Sequence, residues 1–305
     1  MTRFLSASAA AALCLSAGLA LAQTPPAGPN TNVPPPAAQQ APMQVKPVAA
    51  SVYMIVGNGG NTTVVVGKDG LILVDTKNPG QAVYDELMAK VASISPLPVK
   101  EVVITHHHSD HSGNTSFFEK AGVPVVAHQA ESDAVKAYNP PGNPPVRPVP
   151  PTVVYTDVLV INAGGIKAEA HHWGGGHTGG DTVVYFPAQK IVSSGDEVVA
   201  TTPNLDSPFG GSLAGELKSL DAIAKLDFDY VIPGHGDNPI SKADFLVYKQ
   251  KWETFAERAR AAVKAGVPKD QLLAAIKTDD LGWKITGGVW AQPARIDNLY
   301  AELSK

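Results

Sequence analysis

Cysteine is almost missing from this chain: Cys14 is the only one in 305 residues. It lies inside the first apolar stretch, so a chain trimmed after that stretch carries no thiol. Disulfides, thiolate metal ligands and a cysteine nucleophile are then excluded from its chemistry. Basic clustering is missing too. The 24 Lys and Arg against 28 Asp and Glu leave a formal net charge of −4, with no cationic run or stripe, which argues against a dedicated nucleic-acid binder. Beyond Leu21 there is no long apolar run, so no stable membrane anchor is expected.

What the N-terminus does contain is an export pattern. Arg3 supplies a positive start, Phe4 to Leu21 is nearly all apolar, and Ala20-Leu21-Ala22 is an A-x-A cleavage site before Gln23. Residues 1–22 are therefore read as a signal peptide, and the mature protein is expected in the periplasm or secreted. From Gln23 to about Ala50, Pro, Ala, Gln and Asn dominate, as in a disordered or polyproline-like leader. Residues 51–305 are expected to form one domain, since no internal linker interrupts them and a chain of this length buries a core without disulfides.

Val52 to Val56, Thr63 to Val66 and Leu71 to Val74 read as strands, the last two joined by the turn Gly67-Lys68-Asp69-Gly70. Gln81 to Ser95 has helical period, with Val83, Leu87 and Val91 on one face. A short strand at Val102 to Ile104 precedes a helix at Thr115 to Lys120, a strand at Val123 to Ala127 and a helix at Ala130 to Tyr138. Asn139 to Pro151 is too rich in proline for regular structure. Strands resume at Val153 to Ile161, Ile166 to His171, Thr182 to Phe186 and Lys190 to Val192. A helix at Leu213 to Lys225, a strand at Tyr230 to Ile232 and a mainly helical end follow, with Asp244 to Ala265 the longest helix. Strands then helices, repeated, predict an α/β fold: two packed sheets with helices outside, an αββα sandwich.

The chemistry is concentrated directly after Val102-Val103-Ile104, where His106, His108, Asp110 and His111 form an H-x-H-x-D-H array. A strand running into a loop aims alternate side chains the same way, so His106 and His108 can grip one ion, and Asp110 with His111 a second close by. Imidazole and carboxylate without thiolate suit zinc first, with iron, manganese or cobalt as substitutes. Three further donors follow at strand ends or among glycines: His177 in Gly174 to Asp181, Asp196 in Ser193-Ser194-Gly195-Asp196, and His235 in Pro233-Gly234-His235-Gly236.

With these motifs in this order, the chain resembles the metallo-β-lactamase superfamily from about Ser51 to Lys305. The resemblance implies that His106, His108 and His177 hold a first metal, that Asp110, His111 and His235 hold a second, and that Asp196 bridges the two. It further implies two zinc ions per chain, with iron or manganese as substitutes, and a hydroxide between them that attacks a carbonyl. Asp110 would orient that nucleophile while ligating. The substrate is expected to be a small molecule: a lactone, a β-lactam or a thioester. Phosphoester hydrolysis at the same metals and non-catalytic metal binding are the alternatives. The well-known zinc β-lactamases carry Cys or Ser near the place of Asp196, which weighs against a dedicated antibiotic-degrading enzyme; the stretch Gly180 to Pro187 and export weigh the other way.

Other residues are assigned lesser parts. His107 should point away from its neighbours by alternation and pack. His171 or His172 could support a ligand or merely fill structure, and His128 should be structural. Asp181 should tie down the loop beneath His177 through backbone hydrogen bonds. Trp173, Phe209, Trp283 and Trp290 could wall a pocket or pack in the core, and Phe209, in the long irregular loop after Asp196, is the best placed of them for a pocket.

Overall fold

The computed structural model describes residues 42–137 and 146–305. The proposed signal peptide and most of the leader lie outside them. Two mixed sheets stack face to face, with helices on both outer faces, as the order of elements predicted.

The first sheet has seven strands in sequence order: β1 (Gln44–Ala49), β2 (Val52–Val56), β3 (Thr62–Val66), β4 (Leu71–Val74), β5 (Val99–Val103), β6 (Val125–His128) and β7 (Val153–Tyr155). The strands from β1 to β4 pair antiparallel, and those from β4 to β7 pair parallel. The β3–β4 hairpin closes where Gly67 N donates to Gly70 O at 2.9 Å. Helix α1 (Gln81–Ile94), the single turn α2 (Ser109–Ser112), α3 (Thr115–Lys120) and α4 (Gln129–Ala137) fill the connections, since parallel neighbours need crossovers.

The second sheet contains β8 (Val158–Ala163), β9 (Ile166–His171), β10 (Val183–Phe186), β11 (Ile191–Ser193), β12 (Tyr230–Ile232) and β13 (Ile240–Ser241), with β11 and β12 parallel. Helices α5 (Leu213–Ala224), α6 (Lys242–Lys264), α7 (Leu272–Ile276) and α8 (Pro293–Leu303) complete the chain. The side chains of Ser212 and Ser241 cap α5 and α6 by accepting from Gly215 N and Asp244 N. None of the helices among the described residues is long and apolar enough to cross a membrane.

Three apolar layers hold these parts together. Val52, Met54, Ile72, Val184, Phe186 and Ile191 meet between the sheets. Leu87 and Val91 of α1 pack on Val64, Leu73 and Val102. Trp252 and Phe255 of α6 pack on Val192, Val231, Trp283 and Trp290. Each buried aliphatic side chain of such layers contributes about 1.5–3 kcal/mol.

Of the boundaries that differ from the sequence reading, two change the architecture. The ordered domain starts before Ser51: Gln44–Ala49 pairs with β2, and Met43 is buried. Alternation there is blurred by Pro47, which sits at a register shift in an edge strand. The β-branched run from Val153 to Ile161 is two strands in different sheets, parted at Thr156-Asp157. Both strands are sheet edges, and neither Gly nor Pro marks the crossing.

Candidate metal centre

The fold brings two parallel strand pairs, β4–β5 and β11–β12, to one rim, so the chain leaves all four strands on the same side. Asp75 follows β4, His106 to His111 follow β5, Asp196 follows β11 and His235 follows β12. The loop between β9 and β10 adds His177. All seven residues expected as ligands meet here. His106, His108 and His177 form one group, and Asp110, His111 and His235 form another. A third grouping, of His106, His111 and Asp196, links them. Donor atoms within each group lie within 4.8 Å of one another.

Hydrogen bonds on the outer side of each ring decide which nitrogen faces inward. His108 Nε2 lies 2.8 Å from the Asp206 carboxylate, which can only accept, so His108 presents Nδ1 to the centre. His177 Nδ1 donates to the carbonyl of Asn204 at 3.0 Å, leaving Nε2 inward. The Thr105 hydroxyl donates to Asp75 at 2.8 Å and so accepts from His106 Nδ1, again freeing Nε2. His111 Nδ1 lies 2.7 Å from the same Asp75 oxygen, Oδ2, freeing its Nε2. Such outer partners fix tautomer and ring orientation in metal sites.

The inward atoms fit metal ions. His108 Nδ1 lies 3.1 Å from both His106 Nε2 and His177 Nε2, three lone pairs with no hydrogen among them. Asp196 Oδ2 is 3.6 Å from His177 and 3.4 Å from His235, while Oδ1 is buried without a well-formed hydrogen bond, 3.3 Å from His111. Asp110 Oδ2 stands 3.3 Å from His235 Nε2 and 3.7 Å from His111 Nε2. This donor set suits zinc or a similar ion in each group, with Asp196 reaching both.

The electrostatics follow from burial and packing. Burial lowers His106 and His177, the latter to about 4, so both are neutral. Asp196 raises His235 to about 9. Burial works against protonation of His111, but Asp196, Asp110 and Asp75 outweigh it and hold that ring well above its ordinary value. Burial likewise disfavours ionised Asp110 and Asp196, yet His111 and His235 hold both well below the carboxylate range.

Two glycines let backbone approach where a side chain could not. A Cβ on Gly60 would fall 2.2 Å from His111 Cε1, and one on Gly234 would fall 2.0 Å from Asp196 Oδ1. The Gly60 loop is held from below by Lys77, fully buried, whose Nζ donates to Ile55 O at 2.5 Å and Gly60 O at 2.7 Å. Burial brings that ammonium down to about 7. Asn61 Nδ2 ties the same loop to Pro233 O and Gly236 O, both at 2.9 Å, on either side of His235.

Sequence reasoning missed Asp75, Lys77, Asn61, Asp206 and Arg295, whose Nη2 lies 2.7 Å from Asp206. Asp75 left one signal, an acid ending an apolar strand that precedes the metal loop. Among the lesser assignments, Asp181 ties its loop as expected, accepting from Gly176 N at 3.1 Å, Thr178 N at 2.7 Å and the Thr178 hydroxyl at 2.6 Å. His107 stays out of both ligand groups, its Nδ1 3.5 Å from Glu131 and its ring 5.1 Å from Phe209. His172 Nδ1 bonds Asp181 O at 2.8 Å, and His128 stacks on His172. Trp283 and Trp290 are core residues. Phe209 is exposed beside His107, outside the cavity over the centre.

That cavity, about 160 Å³, is walled by Val199, Thr201, Thr202 and Asn204 besides five of the ligands, and its lining includes no Lys or Arg.

A family model described as the metallo-β-lactamase superfamily matches residues 55–235. The α subunit of 2,4-dinitroanisole O-demethylase from Nocardioides sp. is 27% identical over 231 residues, 75% of this chain and 68% of that one. A type 2 metallo-β-lactamase from Bacteroides fragilis is 28% identical over 191 residues, 58% of this chain and 69% of that one. Among solved structures, a metallo-β-lactamase from Pontibacter korlensis superposes with a TM-score of 0.59 at 22% identity, covering 69% of this chain and 99% of that one. A stereoselective inverting sec-alkylsulfatase from Pseudomonas sp. gives 0.65 at 16% identity, covering 85% and 50%.

Proposed function

The chain belongs to the metallo-β-lactamase superfamily, and on that premise we propose that it is an exported dinuclear zinc hydrolase of small carbonyl compounds such as lactones, β-lactams or thioesters. The observation that carries this reading is the reach of Asp196 to both ligand groups beneath a cavity without Lys or Arg. A phosphoester would call for cations around its charged oxygens, and none lines this cavity. A carbonyl compound makes no such demand.

Zinc held by His106, His108 and His177 and by Asp110, His111 and His235, with Asp196 shared, would supply Lewis acidity and a water ionised near neutral pH. The chain's own groups do the rest. Asp110, ionised as a ligating carboxylate, accepts a hydrogen bond from the attacking water and sets its direction. Asn204 Oδ1 is occupied by Arg295 Nη1 at 2.8 Å, so its Nδ2 hydrogens are left to donate to the substrate's carbonyl oxygen. Val199 supplies an apolar wall that keeps bulk water out. His106 and His177 are already in the neutral form that ligation needs, because burial lowers both.

The longest match among these curated relatives is to a protein named for O-demethylation of 2,4-dinitroanisole, which makes cleavage of an activated aryl methyl ether a second reading at the same centre. The discriminating experiment is turnover by the zinc-loaded protein of an acyl lactone, a chromogenic cephalosporin, an acyl thioester, an aryl phosphodiester and 2,4-dinitroanisole. Turnover of a carbonyl member, abolished in Asp110→Ala, is expected. Preference for the phosphodiester or the anisole, or full activity in metal-loaded Asp110→Ala, would overturn the reading.

A further inference from the structure

Away from the metal centre, an open groove of about 800 Å³ runs between the outer side of α5, the end of β9 and α6. Its apolar lining includes Trp173, Leu217 and Leu226, each half-buried and packed on the helical core. The Trp173 ring stacks on His171, with centroids 4.7 Å apart and planes 13° apart, so the indole is fixed in place rather than free to collapse into the groove.

Three cations rim this lining: Lys218 and Lys225 from α5, and Arg260 from α6. All three are exposed, and none has an acid partner among the described residues. What sets these three apart is that they share one apolar lining. The groove's one acid, Asp221, is paired with Lys249 Nζ at 2.8 Å, a lysine that also holds Glu253. In a chain with excess negative charge, this groove is therefore a local cationic rim around an apolar, aromatic lining.

We infer that this groove is a second binding site, for a small amphipathic anion whose planar or aliphatic part lies along Trp173, Leu217 and Leu226 while its carboxylate or sulfonate meets Lys218, Lys225 and Arg260. A concave apolar surface with a few convergent charges is what such a ligand requires, and the volume accommodates a single small molecule. The charges select the sign of the ligand, and the apolar area supplies most of the affinity. No contact with zinc is needed, so the site does not depend on the hydrolytic reading.

The test is calorimetric titration of the metal-loaded protein with naphthalene-2-sulfonate, and in parallel with neutral naphthalene-2-sulfonamide. One-to-one binding of the sulfonate with a Kd of about 100 µM or tighter is expected, weakening with added salt. The sulfonamide, and the sulfonate on a Lys218→Glu, Arg260→Glu double variant, should each bind at least about tenfold more weakly. Both substitutions are on exposed positions, so the melting temperature of the variant should match the parent and report an intact fold. Equal affinity for the two ligands, or an unchanged Kd in the double variant, would overturn the site. So would binding confined to anionic phospholipid vesicles with none of the free sulfonate.

Discussion

His108 and Asp206 are joined at 2.8 Å, and the second Asp206 oxygen meets Arg295 Nη2 at 2.7 Å. One carboxylate thus sets the tautomer of a ligand and anchors α8 to the metal loop. An amide cannot replace it, since Asn offers one acceptor where Asp206 uses two. Asp206→Asn should weaken zinc at the first group by about 10–100-fold, read by competition with a chromophoric chelator. Unchanged affinity would mean that His108 keeps its orientation without this partner.

Gly60→Ala places a methyl against a ring that cannot retreat, because His111 is fully buried and tied to Asp75. The substitution should cost about 1–3 kcal/mol of stability and should empty the second group before the first. Elemental analysis of the variant should find about one zinc per chain rather than two. A full complement of zinc would show that the loop yields instead.

Ion uptake should release protons in a number set by the second group. His235, raised to about 9 by Asp196, carries a proton at pH 7.5, and Asp196, Asp110 and Asp75 favour one on His111. Each must lose it to ligate, whereas His106 and His177 are already neutral through burial. Calorimetry in buffers of different protonation enthalpy should therefore report net proton release on loading, larger for the second equivalent than for the first. The raised His235 value stabilises the metal-free fold fully below about pH 6.5, and this stability is lost as pH rises through about 9. The melting temperature of stripped protein should fall across that window.

The parts legible in sequence were those whose signal is local. His106, His108, Asp110 and His111 share one loop, and Asp196 and His235 each end a short apolar strand, so spacing alone marked them as donors. The supporting shell carries no such mark. Asp206 reaches His108 across 98 residues and Lys77 reaches Ile55 O across 22, and each is a single polar residue whose partner only folding supplies. The split at Thr156-Asp157 was hidden for a related reason. Its β-branched flanks favour strand on both sides, and the change of sheet is decided by packing of Tyr155 and Ile161 into the layer between the sheets.

Asn204→Ala removes the amide assigned to the substrate's carbonyl oxygen while leaving the backbone carbonyl that holds His177. kcat should fall by about 100-fold, the usual consequence of losing one such donor, with zinc content unchanged. A rise in KM at constant kcat would instead place Asn204 in ground-state binding.

The most direct measurement of the dinuclear centre is zinc content against turnover on the same samples, as chelator-stripped protein is reloaded in steps and assayed with an acyl lactone. About two zinc ions per chain, with turnover absent in the stripped protein and complete only as the second equivalent binds, is the predicted result. Less than one zinc per chain at saturation, or turnover that survives stripping, would contradict it.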